Sequence, residues 1–289
     1  MSLNTHRSFT FNKIVFICFF TLLALPASAK KTHKHNTALY GSWGYNTEWY
    51  THPNIKISQP ELGNDYTMKN VTAHDHRGWD HHLLSQPITI PQFNVRLGYM
   101  FNEEKGWGVE LNYDHPKFIV TDGQKVRVIG TKNGKPVNEV VDFSEQNGFF
   151  YYLNNGANFF LFDMVRRFKF ISDKKEFIRL DGVAKLGMGF MVPHVENSLY
   201  GNKNNPHFQT SGWNTAFEGA LRLTVLHYGY IEYCNKLDYA RYTGLKIYKG
   251  TAKQNMGTYE MIMNIGFYIP VHKQAKILGL LMPAQPSIY

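Results

Sequence analysis

Beyond residue 29 the chain repeats one pattern about eight times: a stretch of 10–14 residues in which apolar or aromatic side chains alternate with polar or charged ones. The last copy is the plainest. Tyr259, Met261, Met263, Ile265, Phe267 and Ile269 share one face, and Thr258, Glu260, Asn264 and Gly266 share the other. Side chains of a strand point alternately to its two faces, so each copy presents one apolar and one polar side. Strands long enough to cross about 30 Å of hydrocarbon, apolar outside and polar inside, are the signature of a transmembrane β-barrel. A soluble exported β-sandwich alternates too, but strand length and the many Tyr, Phe and Trp on the apolar face favour the barrel. The pattern predicts an all-β, closed antiparallel up-and-down transmembrane barrel of eight strands, with ten as the alternative.

The N-terminus agrees with that address. Residues 1–13 carry Arg7 and Lys13 and no acid, Ile14–Leu25 is almost wholly apolar, and Ala27-Ser28-Ala29 fits a small-x-small cleavage site. This reads as a secretory signal peptide over 1–29, too short to span as a helix. A periplasmic segment at 30–37, a barrel over 38–270 and a tail at 271–289 follow, and the outer membrane of a Gram-negative bacterium is the expected location. No run of about 18 apolar residues occurs after the leader, which argues against helical spans. With Cys18 in the leader, Cys234 stands alone in the mature chain, so no internal disulfide is expected.

Strands are expected at Ala38–Tyr50, Gln92–Phe101, Gly106–His115, Ala157–Phe168, Phe177–Phe190, Gly212–Leu226, Tyr228–Ala240 and Thr258–Pro270. The fourth is apolar on both faces around Phe159–Phe162, which leaves its register open. Long connections (51–91, 116–156, 191–211, 241–257) alternate with short ones, as extracellular loops alternate with periplasmic turns in bacterial barrels. In the second long loop, Val126-Arg127-Val128 and Val140-Val141 flank Asn133-Gly134, a type I′ hairpin signal. Were that ribbon to enter the membrane, the count would be ten.

An eight-stranded barrel is just wide enough for its own side chains to fill it. The inward face collects acids at Glu48, Glu110, Asp114, Asp181, Glu218, Glu232, Asp238 and Glu260, and bases at Arg96, Arg179, Lys185, Arg222 and Lys236. A buried unpaired charge costs several kcal/mol, so these groups are expected to pair, leaving no conducting pore.

Loss of Arg7 and Lys13 with the leader lowers the formal net charge of +9 by two, to +7. A basic surface favours anionic partners, and for an outer-membrane protein the nearest are lipopolysaccharide phosphates. Outer-membrane lipids and the barrel-assembly machinery are the expected partners. Nucleic acid is not, because the one basic run, Lys30-Lys31-Thr32-His33-Lys34, lies at the new N-terminus. The histidines cluster in the expected loops, most densely at His74, Asp75, His76, Asp80, His81 and His82. In an extended segment His74 and His76 share a face, an arrangement that suits a divalent metal, with Asp75 or Asp80 as oxygen donor or support. Plain loop polarity explains the same residues; otherwise no cofactor is expected.

The alternative activity is a lipid A or phospholipid hydrolase, which needs a hydroxyl, a base and an orienting group. His115 beside Asp114 is the best-placed acid/base pair. Lipid A deacylase barrels carry a His-x-Ser element, however, and beyond the leader no histidine here is followed two places later by serine.

Three stretches resemble an uncharacterised family of small bacterial outer-membrane barrels: Leu62-Gly63-Asn64-Asp65-Tyr66 through Asp75, Ile88-Thr89-Ile90-Pro91 through Tyr99, and Asp142-Phe143 through Asn154-Asn155-Gly156. The resemblance implies the eight-stranded barrel class, whose members serve as anchors, adhesins, receptors and occasionally lipid enzymes. It implies no role for any single residue. The function expected is a barrel that presents surface loops, in a structural or ligand-binding role.

Overall fold

The computed structural model describes residues 37–76 and 92–271. Residues 1–36, over which a leader and a periplasmic segment are expected, the stretch 77–91 with Asp80, His81 and His82, and the expected tail beyond 271 lie outside the described residues. Strand β1 is Thr37–Tyr50, followed by β2 (Ile55–Gln59), a 3-10 turn at Pro60–Leu62, β3 (Asn64–Lys69) and β4 (Ala73–His74). A hairpin of β5 (Asn94–Asn102) and β6 (Trp107–Asp114) comes next. Then come β7 (Phe118–Val120), β8 (Gln124–Lys132), β9 (Lys135–Phe143) and β10 (Phe150–Leu153). The hairpin of β11 (Phe159–Ser172) and β12 (Ile178–Met191) leads to β13 (His194–Leu199), β14 (Asn202–Lys203) and β15 (His207–Phe208). The chain ends on β16 (Trp213–Val225), β17 (Gly229–Ile247) and β18 (Gly250–Val271).

Eight of these strands, β1, β5, β6, β11, β12, β16, β17 and β18, pair antiparallel in chain order. The last meets the first from Thr37 opposite Val271 to Tyr50 opposite Thr258, which closes the ring. Closure leaves no open edge in the lipid, where an unpaired backbone group would cost several kcal/mol. The outer wall carries Leu97, Leu111, Phe162, Leu186, Met188 and Ile265, all more than half exposed. Aromatic rings stand at both ends of that band: Trp49 against Tyr259 and Trp213 against Tyr239 at the loop end, Phe101, Trp107 and Tyr228 at the turn end. Such belts sit at membrane–water interfaces. The register of β11 is settled too: Phe160, Phe162 and Met164 face out, and Phe159, Leu161 and Asp163 face in.

The expected hairpin at Asn133-Gly134 forms, with φ of 51° and 74° at the two turn residues. It does not enter the membrane. β8 pairs with β3, β3 with β2, and β2 with β18 at residues 251–254, so these strands continue the wall outward as a wing. The barrel therefore has eight strands. The segment 241–257, expected as a long loop, is instead a continuation of β17 and β18 around a turn at Tyr248-Lys249.

A polarity inversion marks where these two strands leave the lipid. Along β17 the inward residues run Glu232, Cys234, Lys236, Asp238 and then Ala240, Tyr242, Leu245, Ile247, all buried. The outward ones run Ile231, Tyr233, Leu237, Tyr239 and then Arg241, Thr243, Lys246. Below the interface the outside is apolar and the inside charged; above it the two exchange. The inner apolar residues of β2, β3, β8 and β9 face those of a second sheet, ordered β14-β13-β10-β7-β4. Ile57, Tyr66, Val128, Phe118, Tyr151 and Val195 belong to one buried cluster that reaches down to Phe159 and Met191 at the barrel mouth. The long connections are thus a folded cap with its own core.

Candidate functional site

The lumen holds the densest chemistry, because its inward residues come from eight strands that cross at matched heights. At its centre the Lys185 ammonium lies 2.8 Å from Glu218, 2.9 Å from Glu110 and 3.4 Å from Glu232. Arg96 bridges Asp114 at 2.6 Å, Glu218 at 3.4 Å and Glu110 at 3.5 Å. Toward the cap, Lys236 reaches Asp114, Glu260 at 3.3 Å and Asp238 at 3.9 Å. All of these side chains are buried. Glu218, Glu232 and Cys234 converge closely enough to hold a metal ion, but the Lys185 ammonium already stands between the two carboxylates.

The turn end is closed differently. Arg222 pairs with Glu232 at 2.5 Å, donates to the Tyr268 hydroxyl, and lies over the rings of Tyr230 (4.3 Å) and Tyr40 (4.9 Å). Cation–ring attraction is strongest when desolvated, as here. Arg167 and Arg179 both reach Asp181, at 3.9 and 2.8 Å. Glycine makes room for the rings: a Cβ at Gly98 or Gly266 would overlap Tyr40 or Tyr230. Arg167 and the three tyrosines were absent from the sequence reading. The tyrosines count as apolar in an alternation search, and Arg167 follows a second arginine on the strand whose register was open.

Glu48, at the mouth, departs from the expected ion-pairing: among the described residues it meets no base, and its carboxylate instead accepts from the Asn46 (2.5 Å) and Gln92 (2.6 Å) amides. Asp75 turns toward the barrel, accepting from Thr47 Oγ1 at 2.7 Å and the Glu48 amide at 2.9 Å. That carboxylate clamps the first loop to β1. His74 Nδ1 lies 2.7 Å from the Asp75 carbonyl, and the His76 amide donates to Gln92. Among the described residues, neither histidine joins a third metal-ligating side chain.

The structure corrects one pairing. Neighbouring residues of a strand point to opposite faces, so Asp114 enters the lumen while His115 turns outward, stacking on Phe93 at 5.0 Å and meeting Asn158 Oδ1 at 2.7 Å. The two do not form an acid/base pair. Ser198 and Ser211 donate to the Gly148 and Thr243 carbonyls, and no described serine bonds a histidine.

In the cap, hydrogen bonds from Lys132 and Tyr200 hold Glu139 below the usual carboxylate range. Burial, reinforced by that carboxylate, raises the Tyr200 phenol. The wing's outer surface is the other charged region. Lys253 stands directly opposite Lys56, and Lys69 directly opposite Arg127.

No protein-family model matches the chain, and no curated protein is similar to it in sequence. Among solved structures it is similar to OprG of Pseudomonas aeruginosa, at 12% identity over 81% of this chain and 96% of that one (TM-score 0.37). It is also similar to Ail, the attachment invasion locus protein of Yersinia pestis, solved with the heparin analogue sucrose octasulfate (11%, 82% and 100%, TM-score 0.31). The outer membrane protease OmpT of Escherichia coli is a third (9%, 85% and 100%, TM-score 0.35). Likeness this distant assigns no activity, and the barrel rests on its own strand pairing.

Proposed function

We propose that this protein is a non-conducting barrel of the bacterial outer membrane that carries a folded β-cap at the cell surface, in a ligand-binding or structural role. The observation that carries the reading is the lumen. Lys185 sits among three carboxylates, with Arg96 above and the Arg222–tyrosine cage below. Ion flow would require these buried pairs to part, and breaking one costs about 3–5 kcal/mol. The cap closes the other end with an apolar core that shares Phe159 and Met191 with the barrel rim.

Reconstitution of the refolded chain into planar bilayers tests this. No stepwise conductance is expected at moderate voltage. Stable openings of uniform size would overturn the reading and make the protein a channel.

A further inference from the structure

We propose that the outer face of the wing binds the phosphorylated sugar headgroups of the outer-leaflet glycolipid around the barrel. The inference rests on the outer-membrane reading above and names the ligand class and the residues that meet it.

The first ground is register. Lys253 on β18 faces Lys56 on β2, and one strand pair further Lys69 on β3 faces Arg127 on β8. All four point to the solvent side, since the residues flanking them in sequence (Ala252, Ile57, Met68 and Val128) are buried in the cap core. Like charges directly opposite on one face of a sheet are destabilising, about 5 Å apart at Cβ. Among the described residues Asp65 answers one of these four bases, Lys56, and leaves the other three with a like charge opposite and no carboxylate of their own. Arg241 and Lys246 of β17 extend the same face.

Partnering is the second ground. Lys56 has Asp65 at 3.3 Å, and Arg127 donates to Asn138 at 3.0 Å. Among the described residues Lys69, Arg241, Lys246 and Lys253 form no ion pair. Three other bases of the cap do have carboxylate partners: Lys132 with Glu139, Lys203 with Glu196 and Lys249 with Glu61.

Position selects the occupant. Arg241 lies two residues beyond the girdle residue Tyr239, and Lys253 six residues above Tyr259 on the neighbouring strand. At ~3.4 Å per residue and a tilt of ~40°, they stand about 5 and 15 Å above the girdle. The polar layer of an ordinary bilayer is only about 5–8 Å deep on each side. Arg241 falls within it, whereas Lys253 and Lys56 stand above, at the height of a lipid whose head is a sugar bearing phosphates. The face is the outward continuation of the lipid-facing wall, so the headgroup meets it from the side without leaving the membrane.

The test measures binding of lipopolysaccharide to the refolded full chain in neutral detergent by native mass spectrometry, beside the same lipopolysaccharide stripped of phosphate. A variant carrying Lys253→Gln, Lys56→Gln and Arg127→Gln is compared with Lys203→Gln. Each removed charge is expected to weaken binding about fivefold, giving a loss on the order of 100-fold for the triple variant. Lys203→Gln is expected to bind as the parent does, and the dephosphorylated lipid weakly to every form. Equal affinity of the triple variant and the parent, in samples that keep the heat-sensitive gel mobility of a closed barrel, would overturn the assignment. So would equal binding of the two lipids. Either result leaves the non-conducting barrel intact, because that reading fails only by conductance.

Discussion

The lumen and the outer face of the wing hold charges in opposite ways. At the centre of the lumen acids and bases alternate: Lys185 touches three carboxylates, and Glu110 and Glu218 are shared with Arg96. On the wing Lys253 faces Lys56 and Lys69 faces Arg127. The difference follows from solvent. A charge inside the barrel has no water to fall back on, so folding succeeds only where the partner is built into the chain. A charge on the wing is hydrated, and its repulsion costs little until something else occupies the face. Charges that complete one another serve the fold, and charges left incomplete serve a partner.

The sharpest way to break that contrast is to remove a central lumen cation. Lys185→Met leaves Glu110, Glu218 and Glu232 short of their common partner and is expected to cost about 3–5 kcal/mol or to abolish refolding. Urea unfolding of the refolded chain, followed by tryptophan fluorescence, reads the loss. A change below about 1 kcal/mol would mean that the lumen carboxylates are neutralised by protons and that the lysine is incidental. Next in size is the cap core. Phe118 is fully buried and packs edge-on to Tyr50, with ring centres 5.2 Å apart. Phe118→Ala is expected to cost about 3 kcal/mol of cap stability. Limited proteolysis should then nick 51–76 or 116–156 while the barrel strands stay protected, and nicking inside the barrel would show that cap and barrel melt as one.

The same boundary decides what the sequence made legible. All eight barrel strands could be located because lipid outside and charge inside impose one phase over 8–14 residues. The cap could not be assembled that way. Its strands β2, β4, β7, β10, β13, β14 and β15 run only two to six residues, too short for alternation to stand out. Its pairings are also non-local: β3 with β8, β10 with β13. In 241–257 the failure had a specific cause. The inward side turns apolar at Ala240 and the outward side basic at Arg241, and a bulge between Tyr242 and Leu245, with Gly244 at φ 70°, breaks the period. A search for phase inversion beyond Tyr239 would have found the continuation. The lumen's titratable partners were legible as inward residues, but who pairs with whom depends on registers that no single strand contains. The histidine stretch was conspicuous by composition, and its described part serves mainly to tie the first loop to β1 through Asp75.

A smaller effect tests the wing's frame. Gly134 holds φ at 74° in the β8–β9 turn, and a Cβ there would meet nothing within 4 Å. Gly134→Ala therefore reports backbone strain alone, about 1 kcal/mol. Hydrogen exchange should quicken in β8 and β9 and remain unchanged in the barrel strands. An effect spread across the barrel would mean that the wing is coupled to the lumen, contrary to the separation drawn above.

The smallest expected effect has the most informative sign. In a lumen site, exchanging a base for an acid is ruinous. On the wing, Lys253→Glu would set a carboxylate directly across from Lys56 and replace a repulsive cross-strand pair with an attractive one. The fold is expected to gain about 0.2–1 kcal/mol, while lipopolysaccharide binding weakens. Stability and binding then move in opposite directions from one substitution, an outcome that a purely structural role for Lys253 does not produce. Raising the salt should shrink both changes together, because both are exposed electrostatic effects screened over about 10 Å at 0.1 M. A loss of stability in Lys253→Glu would instead place this lysine with the lumen charges, as a residue whose partner is already within the chain.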